Sequence, residues 1–388
     1  MKHLVYILLG LMLVGVFSCR RSPGGTEARL VAIDSLITAE PDSALALLAD
    51  INADSLPADL RAYHDVLTTQ TLYKAYIPAT TDTLIARAWS YYRDHGPYDR
   101  RIRALLYSGT TAEELGHPDS AMRWYKRTEL ESRPDDHYHR AYAQECMGIL
   151  YQENFEIRYA IDKYRNAITA FSQIDTIHYL FCCQQLSQLY QNDNIDVDSS
   201  EYFIANVQKI AKARNDSVYI ILAITSKASS LFYDSCYAST IETILSVIDK
   251  SDLPKKCWYY MAQSYAKLGQ ADSAEKYLIL SQQPITPTDS SLFYHTKSLI
   301  CSLRGNWQSA HKFEVMSDKI AEKEYLSLNT SSLQLSEREI EQEVSANLLH
   351  EQFFYRNIII ALILLVMTAG FIFLITTVPL KWTNRSLN

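Results

Sequence analysis

From residue 28 to about 320 the apolar positions recur three and four residues apart, in stretches broken by short polar turns. That period belongs to amphipathic helices rather than strands. In "QECMGILY" the residues Met147, Gly148 and Tyr151 share one helical face, and nine residues after Tyr151 a second face begins with Ala160, Tyr164 and Ala167. "WYYMAQSY" repeats the arrangement, with Trp258, Met261, Ala262 and Tyr265 preceding Ala274 and Leu278. The second face opens at Ala44, Leu84, Ala121, Ala160, Ser200, Thr240, Ala274 and Ala310, a small residue in most of the units. Successive separations are 40, 37, 39, 40, 40, 34 and 36. Two amphipathic segments per 34 to 40 residues predict a solenoid of helical hairpins.

The turn between the two helices of a unit also repeats. "GHPDSAMRWY" at 116–125 is echoed by "GQADSAEKYL" at 269–278. Gly116, Gly269 and Gly305 are expected to take the left-handed conformation that ends a first helix. Asp42, Asp119 and Asp272 are expected to cap the second, with Glu275 completing a near capping box after Asp272. Pro41 and Pro118 sharpen the boundary. The small residue that follows lets the two helices approach, while Trp258, Tyr265 and Tyr164 fill the space beside the crossing.

An aromatic, a large apolar, a small residue and a tyrosine in one helix, then a small residue and aromatics in the next, resemble the tetratricopeptide repeat. The resemblance covers about residues 28–320 and is carried most fully by the units of Ala160 and Ala274; the units of Leu84, Ser200 and Thr240 rest on spacing. It implies an all-α, right-handed superhelical solenoid of about eight hairpins; the sequence after it is expected to form a long helix followed by a single C-terminal transmembrane helix.

The two ends carry continuous apolar runs. "MKHLVYILLGLMLVGVFSC" has a positive start and an apolar run, Leu4 to Phe17, of export-signal length. Val16-Phe17-Ser18-Cys19 resembles a bacterial lipobox, which implies lipidation at Cys19; an uncleaved anchor with Cys19 incidental is the other reading. Ile358 to Val378 gives 21 apolar or small residues. At about 1.5 Å per residue they span roughly 30 Å, the hydrocarbon thickness. The expected organisation is a signal peptide at 1–19, a linker at 20–27, the solenoid at 28–320, a helical stalk at 321–355, the span at 358–378 and a cytoplasmic tail at 379–388. Lys381 and Arg385 put that tail inside, and residues 20–355 in the periplasm, anchored in the inner membrane of the cell envelope.

In the stalk, Leu326, Leu333 and Ile340 stand seven apart, with Val344 and Leu348 continuing the stripe. It fits either a helix capping the last repeat or a short parallel coiled coil through which copies self-associate. Phe353, Phe354 and Tyr355 read as an interfacial aromatic belt.

Composition adds little chemistry. The net charge of −7 is spread without a basic stripe, which argues against nucleic acid as a partner. Apart from Cys19, the cysteines form no C-x-x-C pair, and Cys146, Cys257 and Cys301 sit in apolar helical patterns, as buried hydrophobes do. "DDHYHR" places Asp135, Asp136, His137 and His139 together in an inter-repeat loop, without further ligands at metal spacing. No phosphate loop or hydrolase motif occurs, so neither a metal nor a cofactor nor an enzymatic activity is expected.

The resemblance implies instead a protein or peptide partner bound along the concave face, lined mainly by first helices. Carried onto this chain, those positions are Glu145, Ile149 and Gln152, then Gln184, Gln188 and Gln191, then Tyr259 and Gln263. The paired lysine and asparagine with which some members clamp a terminal carboxylate are absent there. The layout resembles Bacteroidetes envelope tetratricopeptide lipoproteins and the sensory half of membrane-spanning regulators whose DNA-binding domain lies beyond the membrane, where this sequence has only "KWTNRSLN". The expected functions are a periplasmic scaffold or adaptor, or a sensory component signalling through a partner.

Overall fold

The computed structural model describes residues 25–191, 196–248, 253–281, 286–328 and 332–383. The expected signal peptide, Cys19 and the end of the tail lie outside them. The described residues form seventeen α-helices, one short 3-10 turn and no strand. In chain order the first sixteen make eight pairs. These are α1 (Gly25–Asp34) with α2 (Pro41–Ala49), α3 (Ala58–Lys74) with α4 (Thr83–Tyr92), α5 (Tyr98–Glu114) with α6 (Pro118–Glu131), and α7 (His137–Glu153) with α8 (Ile157–Ile174). They continue with α9 (Thr176–Gln191) and α10 (Val197–Arg214), α11 (Ser217–Tyr233) and α12 (Tyr237–Leu245), α13 (Lys255–Lys267) and α14 (Ala271–Leu280), then α15 (Pro287–Leu303) and α16 (Trp307–Leu328). The seventeenth helix, α17, runs from Leu333 to Thr383.

The chain divides into two compact units between His117 and Pro118, so the third pair contributes α5 to one and α6 to the other. In the first unit α3 packs on α1, α2, α4 and α5. A bidentate pair from Arg87 to the fully buried Asp65, at 2.6 and 2.7 Å, ties α4 to α3. In the second unit each first helix from α9 to α15 touches the next, so α9, α11, α13 and α15 form a continuous row.

The small residues expected to open the second helices are covered. Ala44, Ala121, Ala160, Ser200, Thr240, Ala274 and Ala310 are all buried, each four residues into its second helix when Pro41, Pro118 and their counterparts are counted as one. Leu84 departs from this: it is half-buried, and Ile85 and Ala88 take the covered places. Leu84 is the second residue of α4, which begins at Thr83, and not the fourth as in the other units.

Gly116, Gly269 and Gly305 do close first helices, at φ of +76°, +78° and +75°. The aspartates do not cap as expected. Asp42 and Asp272 lie one residue inside their helices, with Glu40 and Gln270 at the cap and no side-chain bond there. After the left-handed Gly269 the helix restarts at once, and in both turns the proline or alanine before the aspartate is already the first residue of the helix. An acidic group at that position still favours the positive helix end. It is also free to reach outward: Asp272 and Glu275 both accept from Arg304, just past the end of α15, at 2.9 and 2.7 Å. Side-chain caps occur mainly on the other turns, where Asp136, Asp175, Asp216 and Thr286 open α7, α9, α11 and α15.

The stalk differs from its expected course. The boundary at 320 falls inside α16, and the chain then starts a new helix whose first turns lie along α6, some 200 residues earlier. Leu333, Ser336, Glu337 and Ile340 are buried there. Two residues of the heptad stripe are therefore covered by this chain's own α6, while Leu326 and Leu348 are exposed. A stripe of that period fits any apolar partner surface, and here the surface is in cis. From Leu333 to Ala369 the helix is long and apolar enough to cross a membrane by length and composition.

Candidate functional site

Three of the expected partner-facing residues meet at one place. Gln184, Gln188 and Gln191 occupy one face of α9 because residues four and three apart align along a helix. Their neighbours Cys183, Leu186 and Leu189 turn into the core. The three amides line an open cavity of about 130 Å³, completed by Thr225, Ser226 and Ser229 of α11 and by Lys256, Cys257 and Tyr260 of α13. Three consecutive first helices therefore build it.

Among the described residues the lining carries no charge apart from Lys256, whose ammonium lies 5.8 Å from the centre of the Tyr260 ring, and its polar groups stand among Leu222, Pro254, Cys257 and that ring. Ser229 donates to the Tyr260 hydroxyl at 3.0 Å, and Thr225 donates to the Leu222 carbonyl at 2.9 Å. The Ser226 hydroxyl is buried and has no hydrogen-bond partner among the described residues. A buried hydroxyl without a partner is costly, so a ligand group or a water that meets it would gain. Burial pushes the Cys257 thiol up to about 12, which leaves it an uncharged wall.

The other expected positions go elsewhere. Both carboxylate oxygens of Glu145 lie 2.9 Å from His178 Nδ1, and Cys182 donates its thiol proton to Oε2 at 3.4 Å. The imidazole stacks on Phe171, with ring centres 5.0 Å apart. Burial first, then the Glu145 charge, pushes the Cys182 thiol well up. Glu145 thus joins α7 to α9. Gln152 accepts from Tyr164 at 3.0 Å and donates to Gln185 at 3.1 Å. Ile149 is half-buried. On α13, Tyr259 is fully buried and Gln263 donates to Thr296 of α15 at 3.1 Å, which ties those two helices together.

"DDHYHR" is a helix start. Asp136 accepts the His139 backbone N–H at 3.1 Å and lies 2.8 Å from its Nδ1. Among the described residues no group of three or more His, Cys, Asp or Glu is placed to hold a metal. The free cysteines Cys146, Cys182, Cys183 and Cys257 are buried, and Cys236 is exposed.

Sequence reasoning missed Thr225, Ser226, Ser229, Lys256 and Tyr260. The available signal was "TSKASS" in α11, a run of short polar residues in a helix that otherwise reads as apolar. A second cavity, about 640 Å³, lies between α14, α15 and α16 and is lined mainly by Leu278, Ile279, Phe293, Ile300 and Phe313. Its Arg304 is already held by Asp272 and Glu275.

No family model matches the sequence, and no curated protein matches it. Solved structures do. A Rap protein complexed with competence and sporulation factor is 13% identical, with a TM-score of 0.56 over 86% of this chain and 96% of that one. NprR in complex with its cognate peptide NprX is also 13% identical, with a TM-score of 0.55 over 83% of this chain and 100% of that one. The apo form of the quorum sensor NprR from B. thuringiensis is 11% identical, with a TM-score of 0.54 over 76% and 98%. At such identities the likeness concerns the fold, and the fold is that of a tetratricopeptide-type helical repeat protein.

Proposed function

We propose that the chain is a non-catalytic binding protein that takes a peptide, or an extended segment of a protein, across the first-helix face of α9, α11 and α13. The observation that carries this is the row of Gln184, Gln188 and Gln191 beside the unpartnered Ser226 hydroxyl. Each amide both donates and accepts, as an extended backbone requires, and the three are a helical turn apart. Among the described residues the lining has no carboxylate or imidazole to act as a general base. The structural neighbours support the reading, since a Rap protein holds competence and sporulation factor and NprR holds a peptide in the same fold.

We place this face in the periplasm of a Gram-negative envelope, with Cys19 lipidated and residues 358–378 in the inner membrane. In support, the apolar side chains from Ile358 to Met367 are exposed on the helix, a surface that water disfavours and lipid accepts. A photo-crosslinking residue at Gln188 should capture a specific envelope protein or peptide in cells, and one at the exposed Lys209 of α10 should not. Equal capture at both would sink the assignment of the face.

A sensory role is the second reading, favoured by the continuity of α17. Its head is fixed to α6 and its far end is the expected span, with about 22 Å of helix between Glu343 and Ile358 at 1.5 Å per residue. Replacing residues 344–378 with an unrelated anchor should then abolish function while leaving capture at Gln188 intact.

A further inference from the structure

The head of α17 sits in a seat built for charge. On one side stand Arg123, Lys126 and Arg127 of α6; on the other stand Tyr151 at the end of α7 and Lys163 of α8. Glu337 is buried among Lys126, Lys163 and the Tyr151 hydroxyl, which donates to it. Glu339 accepts from Arg123 at 3.1 Å, Glu341 pairs with Lys126 at 2.7 Å, and Glu343 pairs with Arg127. Asp119 accepts the Ser332 N–H at 2.9 Å, just ahead of the helix start.

The seated turns have few apolar anchors. Only Leu333 and Ile340 are buried hydrophobes, and between them Ser336 is fully buried with its hydroxyl unpartnered among the described residues. A contact dominated by ion pairs, with an unmet polar group at its centre, is specific in charge and weak in apolar grip. At the hairpin crossings elsewhere the buried small residues are alanines, or Ser200 and Thr240, whose hydroxyls donate to the Ser187 and Cys236 carbonyls. The segment therefore resembles a ligand more than a core element.

We infer that this seat is a binding site for an acidic amphipathic helix, filled here by residues 332–343 of the chain itself and open to exchange with a helix of the same chemistry on a partner protein. The chemistry is stated by the resident: apolar residues at the first and eighth positions from Leu333, and glutamates at the fifth, seventh, ninth and eleventh. An incoming helix of that pattern displaces the head of α17 and frees the membrane-proximal helix from α6. The inference does not depend on the glutamine face.

The test uses the full chain in detergent and a fluorescein-labelled peptide of residues 332–345 as the probe. Glu337→Lys with Glu341→Lys in the chain should loosen its own segment and raise peptide affinity by about tenfold or more over the unaltered chain, with the effect falling as salt rises. Ser336→Ala in the chain, which removes the unmet buried hydroxyl without adding bulk, should tighten the resident and lower peptide affinity. Lys126→Glu with Lys163→Glu should abolish binding of this peptide, and a peptide carrying Glu337→Lys and Glu341→Lys should restore it, which shows that the altered chain is folded. Peptide affinity equal across these chains would overturn the site. A dimer of the unaltered chain that the peptide dissociates would overturn the partner assignment, because the resident would then come from a second copy.

Discussion

Gly148 of α7 faces the ring of Tyr164 of α8 so closely that a Cβ at Gly148 would lie 3.0 Å from two of the ring carbons. The crossing of these helices has no room for a larger side chain. Gly148→Leu should therefore destabilise the second unit by about 2–3 kcal/mol through forced repacking. Urea unfolding checks this, with a lowered midpoint and an unchanged slope expected. Gly148→Ala should cost much less, since its better helix propensity, about 1 kcal/mol, offsets a small shift of the ring.

The caps distinguish the two kinds of turn. Asp216→Ala removes the acceptor for the Tyr219 N–H and should cost about 1 kcal/mol. Asp42→Ala, one residue inside α2 and without a cap bond, should cost only a few tenths through the helix dipole. Comparable losses for both would contradict the assignment of caps.

The parts of this fold that follow from a local pattern were legible in the sequence. Ala160 and Ala274 mark crossings because only small residues fit there, and Gly116 and Gly269 mark turns because their φ is positive. Phe155 and Ser235 take the same left-handed conformation at φ of +58° and +60°. They carry side chains, so their turns could be placed only by spacing. Long-range contacts were not legible. Nothing in "LQLSEREIEQE" says that its stripe will meet α6, and a glutamate on a first helix reads alike whether it faces solvent or, like Glu145, a histidine on the next repeat. Gln184, Gln188 and Gln191 were found together because one helix carries all three; their serine and tyrosine neighbours come from other repeats.

Glu145 and Gln188 should separate stability from binding. Glu145→Ala leaves His178 and Cys182 without their shared acceptor and should lower stability by about 1–3 kcal/mol. Gln188→Ala, at a half-buried position without a recorded partner among the described residues, should leave stability within about 0.5 kcal/mol. Thermal unfolding of both variants checks this, and the reverse order would contradict the placement of Glu145 as a strut.

Acid should release the head of α17. Burial opposes the Glu337 charge, but Lys163, the Tyr151 hydroxyl and Lys126 together hold its carboxyl below the ordinary range. A carboxyl lowered on folding stabilises fully above its unfolded value and loses that contribution as pH falls through the folded one. Lys126 is also buried, yet Glu129, Glu341 and Glu337 raise its ammonium above the usual lysine range, so its contribution is present below that range and fades only in strong alkali. Hydrogen exchange of residues 333–343 should be slow at neutral pH and fast at about pH 3, after correction for intrinsic rates. Glu337→Gln should weaken the seat by about 2 kcal/mol at neutral pH and flatten that acid response.

A peptide lying across α9, α11 and α13, as we propose, must draw on the three glutamines of α9. The segment crosslinked at Gln188, as an isolated peptide, can be titrated against the unaltered chain and against one carrying Gln184→Ala, Gln188→Ala and Gln191→Ala. An affinity loss of about tenfold or more, roughly 1.4 kcal/mol or above, is expected with unfolding unchanged. Equal affinity for the two chains would contradict it.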